Sequence, residues 1–87
     1  MYVIIVYDAK EKRVSRYHKT LKRYLHAVQN SVFEGELTQG KLTKLKQELM
    51  NINKHFEDSV IIYTFHNSKY IQRESIGEKK GIDRNII

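Results

Sequence analysis

Asp8 is the residue best placed to do chemistry. It follows the continuous β-branched and aromatic run Tyr2-Val-Ile-Ile-Val-Tyr7, so it closes a strand, held by that strand yet exposed at its end. A carboxylate in this position suits a hard cation such as Mg²⁺, which keeps several waters and takes one or two carboxylates. One Asp8 is half of such a site; a second copy across a twofold axis would supply the other half. The competing use is structural, because Asp after a strand commonly caps the turn or helix that follows. Glu34 and Glu36 flank Gly35 and share one face of a strand, as paired acid/base carboxylates would. Nothing around them marks a cleft, and they read as a solvated strand face. The four histidines, at 18, 26, 55 and 66, include no i, i+4 pair for a helical metal site. The absence of cysteine removes disulfides, thiolate zinc sites and cysteine nucleophiles together. No nucleophilic triad, glycine-rich phosphate loop or cofactor fingerprint is present.

A second candidate is a basic helix face. Arg13, Arg16, Lys19, Lys22 and Arg23 lie opposite an apolar stripe, and cations repeating at these spacings without acidic partners repel one another. That pattern fits phosphate binding and, equally, an ordinary solvated surface. Lys41, Lys44, Lys46 and Lys54 add to the basic total. Sixteen Lys and Arg against ten Asp and Glu give a net charge of +6 over 87 residues, a balance that favours an anionic partner, most simply nucleic acid. Six tyrosines invite a base-stacking reading, but most sit within apolar patterns and read as core. Membrane association is disfavoured, since no run approaches the roughly 20 apolar residues of a spanning helix. No secretory signal is legible at the N-terminus, and the expected location is cytoplasmic.

The elements that position these residues follow from hydrophobic periodicity. Tyr2 to Tyr7 reads as a central strand covered on both faces. Val14, Tyr17, His18, Leu21, Leu25 and Val28 recur at spacings of three and four and predict one amphipathic helix. Val28 to Leu37 turns extended, with Gln29-Asn30-Ser31 as a bend between two short strands. Thr38 caps a second helix whose buried stripe is Leu42, Leu45, Leu49, Ile52 and Phe56. Val60 to Phe65 is a strand, His66-Asn67-Ser68 a turn, and Tyr70 to Ile76 a further strand. Glu78 to Arg84 reads as a mobile connection, and Asn85-Ile86-Ile87 as an apolar end able to add to a sheet edge. The order predicts one α+β domain over residues 1–87, a ferredoxin-like plait with an antiparallel sheet and both helices on one face.

Four segments, taken in order, resemble the CRISPR-associated protein 2 family. They are Met1 to Asp8 with the basic amphipathic helix after it, Val28-Gln-Asn-Ser-Val-Phe-Glu-Gly-Glu-Leu-Thr38, Asp58-Ser-Val-Ile-Ile-Tyr63, and the glycine-flanked tail ending Asn85-Ile-Ile87. The resemblance spans essentially the whole chain. It implies a ferredoxin-like homodimer whose C-terminal segment adds to the partner's sheet. It assigns Asp8 as the Mg²⁺-binding and catalytic residue, with Tyr7 beside it in the catalytic pair. Arg13 matches the family's basic residue near the helix start best and Arg16 next, and Lys19 and Arg23 extend that nucleic-acid-binding face. Phe33 carries the family motif. Ala27 is a departure, standing where some members have an arginine before the Gln-x-Ser-Val-Phe segment. The implied role is to bridge two integrase dimers and hold protospacer DNA during CRISPR adaptation. A Mg²⁺-dependent endonuclease activity on single-stranded RNA or double-stranded DNA is implied alongside it. The rival readings are an endoribonuclease whose cleavage is the physiological function, and an unrelated toxin-like RNase on the same plait.

Overall fold

The computed structural model describes residues 1–77. Its elements run β1 (Tyr2–Asp8), α1 (Glu11–Lys22), β2 (His26–Gln29), β3 (Val32–Glu36), α2 (Gln39–Ile52) and β4 (Ser59–Phe65), then a short 3₁₀ turn, Ser68–Tyr70. The four strands form one sheet in the order β2-β3-β1-β4, with every neighbouring pair antiparallel. That order and the two crossover helices make the plait expected from the sequence.

Period-two alternation divides β1 between two faces. Val3, Ile5 and Tyr7 are buried and share a core with Tyr17 and Leu21 of α1 and with Leu42, Leu45, Leu49 and Ile52 of α2. Both helices therefore cover the Val3/Ile5/Tyr7 face. Phe33 of β3 is fully buried in the same core. Gly35 sits close against the turn, where a Cβ would stand a tight 3.2 Å from Leu25 Cδ2. Thr38 caps α2 as predicted, its Oγ1 accepting the Lys41 N–H at 3.2 Å.

Four expectations need correction. Helix α1 stops at Lys22 rather than running to Val28. Leu25 still reaches the core from the turn after the helix, whereas in β2 it is Ala27, opposite Phe33, and not Val28 that packs against it. Val14, assigned to the buried stripe, is exposed. Phe56 is not the last residue of the α2 stripe: the helix ends at Ile52, and Phe56 is 86% exposed with a left-handed φ of 57°. Tyr70 to Ile76 is not a strand; beyond the 3₁₀ turn, residues 71–77 pair with no strand among the described residues. The expected mobile connection and the sheet-adding end at Asn85-Ile86-Ile87 lie outside the described residues.

Candidate functional site: a strand-end carboxylate beside a basic helix

Asp8 is exposed at the last position of β1, opposite Ser59 in the β1–β4 register. It does not cap α1. The N-cap position is Lys10, and no side chain caps the helix there. The structural alternative for Asp8 thus loses its main support, and the carboxylate is left facing solvent. Among the described residues no group of three or more His, Cys, Asp or Glu side chains forms a cation site. Asp8 offers what a hard cation takes, an exposed oxygen donor on rigid backbone, but one chain offers it singly.

Tyr7 goes the other way. Its ring is 3% exposed and stacks on Tyr17 at 5.2 Å between centroids, with Phe33 at 6.4 Å. Its hydroxyl is buried without a hydrogen-bond partner among the described residues. Burial pushes its pKa up, tempered by the nearby Ser31 side chain, which stays short of hydrogen-bonding geometry. The phenol is enclosed on the helix side of the sheet, while Asp8 is exposed at the strand's end. Tyr7, expected beside Asp8 in the catalytic pair, is thus placed in the core. Phe33, the motif residue, is also core, with His18 packed edge-on against it at 5.2 Å.

The basic face is smaller than its charges suggest. Arg13 turns inward, its side chain 11% exposed, and forms a two-pronged pair with Asp58: Nε donates to Oδ2 at 2.6 Å and Nη2 to Oδ1 at 2.9 Å. Glu57 adds a contact at 3.0 Å. The hydrogen bonds from Arg13, more than any other contact, hold the Asp58 carboxyl well below its usual range. Arg13, expected on the nucleic-acid-binding face, thus has its Nε and Nη2 engaged by Asp58 and Glu57 within the protein. Arg23 pairs with Glu48 and lies over the Tyr24 ring at 5.5 Å, so its charge too is largely matched. Arg16 and Lys19 remain exposed, as does Lys12. Spacings of i, i+4 and i+7 align Lys12, Arg16 and Lys19 on one helix face. Lys12 joins this face without being among the residues singled out from the sequence, although its position four residues before Arg16 signals it.

Among the described residues, no helix covers the remaining face of the sheet. Antiparallel register lays its side chains in rows: Glu36–Tyr2–Phe65, then Glu34–Ile4–Tyr63, then Val32–Val6–Ile61, then Asp8–Ser59 at the rim. Ile61 and Tyr63 are 47% and 49% exposed. Glu34 corrects the solvated-face reading, because it is buried, accepting from the Tyr2 hydroxyl and pairing with Arg73. Burial, then the hydrogen bond to Glu34, raises the Tyr2 phenol to about 12. Glu36 stays exposed and pairs with the N-terminal amine at 3.2 Å. Ala27, opposite Phe33, packs against the core.

Comparison with known proteins agrees with this architecture. The family described as CRISPR associated protein Cas2 matches residues 1–73. A CRISPR-associated endoribonuclease Cas2 of Thermotoga maritima is 48% identical over 83 residues, 95% of each chain. Another, of Dictyoglomus turgidum, is 41% identical over the full length of both. Among solved structures, one described as a crystal structure of cas2 superposes with a TM-score of 0.85 at 47% identity, covering 100% of this chain and 98% of that one. Streptococcus pyogenes Cas2 gives 0.76 at 30% identity, covering 88% of this chain and all of its own. A plait of this topology, with Asp8 closing its central strand and full-length similarity to these proteins, belongs to the CRISPR-associated Cas2 family.

Proposed function

We propose that the protein acts as a homodimeric, nucleic-acid-binding subunit of CRISPR adaptation, bridging integrase dimers and holding protospacer DNA. The observation that carries this reading is the sheet face that no helix of the described residues covers, with Asp8 at its rim. Rows of Ile4, Val6, Val32, Ile61 and Tyr63 leave apolar area that a second copy would remove from water, at about 25 cal/mol per Å². An isologous contact repeats each residue across its axis, so two Asp8 carboxylates border one seam. Lys12, Arg16 and Lys19 then form a line of exposed cations on each protomer, suited to phosphates irrespective of sequence.

Mg²⁺ fits this arrangement through the paired Asp8 carboxylates. When bound it supplies Lewis-acid stabilisation of a phosphodiester and activates water for hydrolysis. The protein's own part is to hold the cation at Asp8 and the nucleic-acid backbone on α1. A second reading, in which cleavage of RNA is itself the function, is favoured by the exposed, uncapped state of Asp8 and by relatives named endoribonucleases. The full-length similarity leaves no support for an unrelated toxin-like module.

Reconstitution with the cognate integrase separates the two. Under the bridging reading, Asp8→Ala abolishes cleavage of RNA and DNA yet still yields integration product, whereas a Lys12→Ala, Arg16→Ala double variant loses integration together with DNA affinity. Loss of integration in Asp8→Ala, with dimer and DNA binding unchanged, would overturn the bridging preference.

A further inference from the structure

Asp58 precedes β4, and its side chain is 0% exposed. Besides the two bonds from Arg13, it accepts the Tyr17 hydroxyl at 2.9 Å and the Lys10 backbone N–H at 2.8 Å. Its own backbone is held by Asn53 at the end of α2: the Asn53 amide donates to the Asp58 carbonyl, and Asn53 Oδ1 accepts the Asp58 N–H, both at 3.0 Å. A carboxylate has about four acceptor sites, and here all four are taken. Asp58 is therefore saturated and unable to serve as a cation ligand itself.

Its bond to Lys10 reaches a consequential place. Lys10 is the N-cap residue of α1 and stands two residues beyond Asp8. At the other end of that turn, Asp8 is the register partner of Ser59, the residue after Asp58. The segment Asp8-Ala9-Lys10 is thus gripped at both ends by Asp58–Ser59, through sheet pairing at one end and through a buried carboxylate at the other. Arg13 and Tyr17, four apart on α1, stand behind Asp58 and fix the plane of its carboxylate.

We propose that Asp58 is the positioning residue for Asp8, setting the backbone course from which Asp8 meets a divalent cation. This rests on the reading of Asp8 as a cation ligand. Arg13 acts on the site through Asp58 and not through phosphate. A partner that orients a metal ligand without touching the metal is worth about ten- to a hundredfold in affinity.

The test uses Mn²⁺ as the probe on the intact dimer, with bound ion read by electron paramagnetic resonance and the Asp8 and Ala9 amides by ¹⁵N NMR. Asp58→Asn keeps the shape but loses the charge and one acceptor, and should weaken Mn²⁺ binding about tenfold while shifting both amide signals. Glu48→Gln breaks a different helix-anchoring pair and should leave both readouts alone even where it lowers Tm. Should Asp58→Asn fail to fold, Arg13→Lys, which keeps charge but loses the fork, should weaken Mn²⁺ binding in the same direction. Parent-like Mn²⁺ affinity in the Asp58 or Arg13 variant, with affinity lost in Asp8→Ala, would overturn the proposal while sparing the cation reading. Undiminished affinity in Asp8→Ala would instead sink the cation reading. Positioning is then judged on the amides alone, and unshifted signals in Asp58→Asn would overturn that too.

Discussion

Tyr7 and Asp8 are adjacent in β1 and face opposite sides of the sheet, one into the core and the other into solvent. That geometry argues for a packing role of the Tyr7 phenol. Tyr7→Phe should retain full cleavage and integration. Removing an orphaned buried hydroxyl should leave stability unchanged or raise it by up to about 1 kcal/mol. Urea denaturation beside activity assays checks both; a large activity loss in a stably folded Tyr7→Phe protein would restore a chemical role for the phenol.

The Arg13–Asp58 pair predicts acid sensitivity. The Asp58 carboxyl lies well below its usual range in the folded protein, chiefly through its hydrogen bonds from Arg13, and returns to roughly 4 in the unfolded chain. Unfolding therefore takes up a proton below about pH 4, and stability falls as pH drops through that window toward the folded-state value. Asp58→Asn should be less stable than the parent at pH 7 and should lose less on acidification. Parallel slopes of Tm against pH between 5 and 2 for the two proteins would contradict this.

Exposure of Lys12 and Arg16, against enclosure of Arg13, predicts different signatures in DNA binding. Lys12→Ala and Arg16→Ala should each flatten the dependence of log Kd on log salt by about 1 for every phosphate contact removed, equally on unrelated duplexes. Arg13→Ala should chiefly lower Tm, since it strands a buried carboxylate. Fluorescence anisotropy across a salt series and thermal melts on the same proteins read the contrast. A salt slope altered by Arg13→Ala but not by Arg16→Ala would reverse the assignment.

The helix-free face predicts self-association through its apolar rows. Ile61→Glu places a charge beside Val6 at a position that the isolated chain leaves half exposed, so the variant should fold as a monomer. Sedimentation at micromolar concentration should show about twice the chain mass for the parent and the single-chain mass for Ile61→Glu. An unshifted dimer in the variant would place the interface elsewhere.

Local signals in the sequence were enough for most of the fold. Thr38 followed by Leu42, Leu45, Leu49 and Ile52 carries both a cap and a stripe, and that helix forms as expected up to Ile52, with Phe56 outside it. Tyr70 to Ile76 has strand-like composition, yet no strand among the described residues pairs with it, and composition does not supply a partner. The site was less legible, because its decisive contacts join distant residues. Arg13 reads as a free cation until Asp58, 45 residues away, is seen to take it. Glu34 reads as solvated until Tyr2 and Arg73, 32 and 39 residues off, enclose it. The position of Asp8 at an exposed strand end depends on one local run, Tyr2 to Tyr7, and is legible from it.

Strand β1 precedes the other described strands in the chain, yet it lies between β3 and β4, and β4 is the last of the described strands to be synthesised. Its pairing with β4 spans most of the described chain, from Tyr2 with Phe65 to Asp8 with Ser59, and such non-local contacts form late. A nascent chain released before Asp58 carries Asp8 on a strand lacking one neighbour and the grip on Lys10. Such a fragment should be readily digested by protease, so the order of synthesis itself keeps incomplete chains from presenting a finished Asp8.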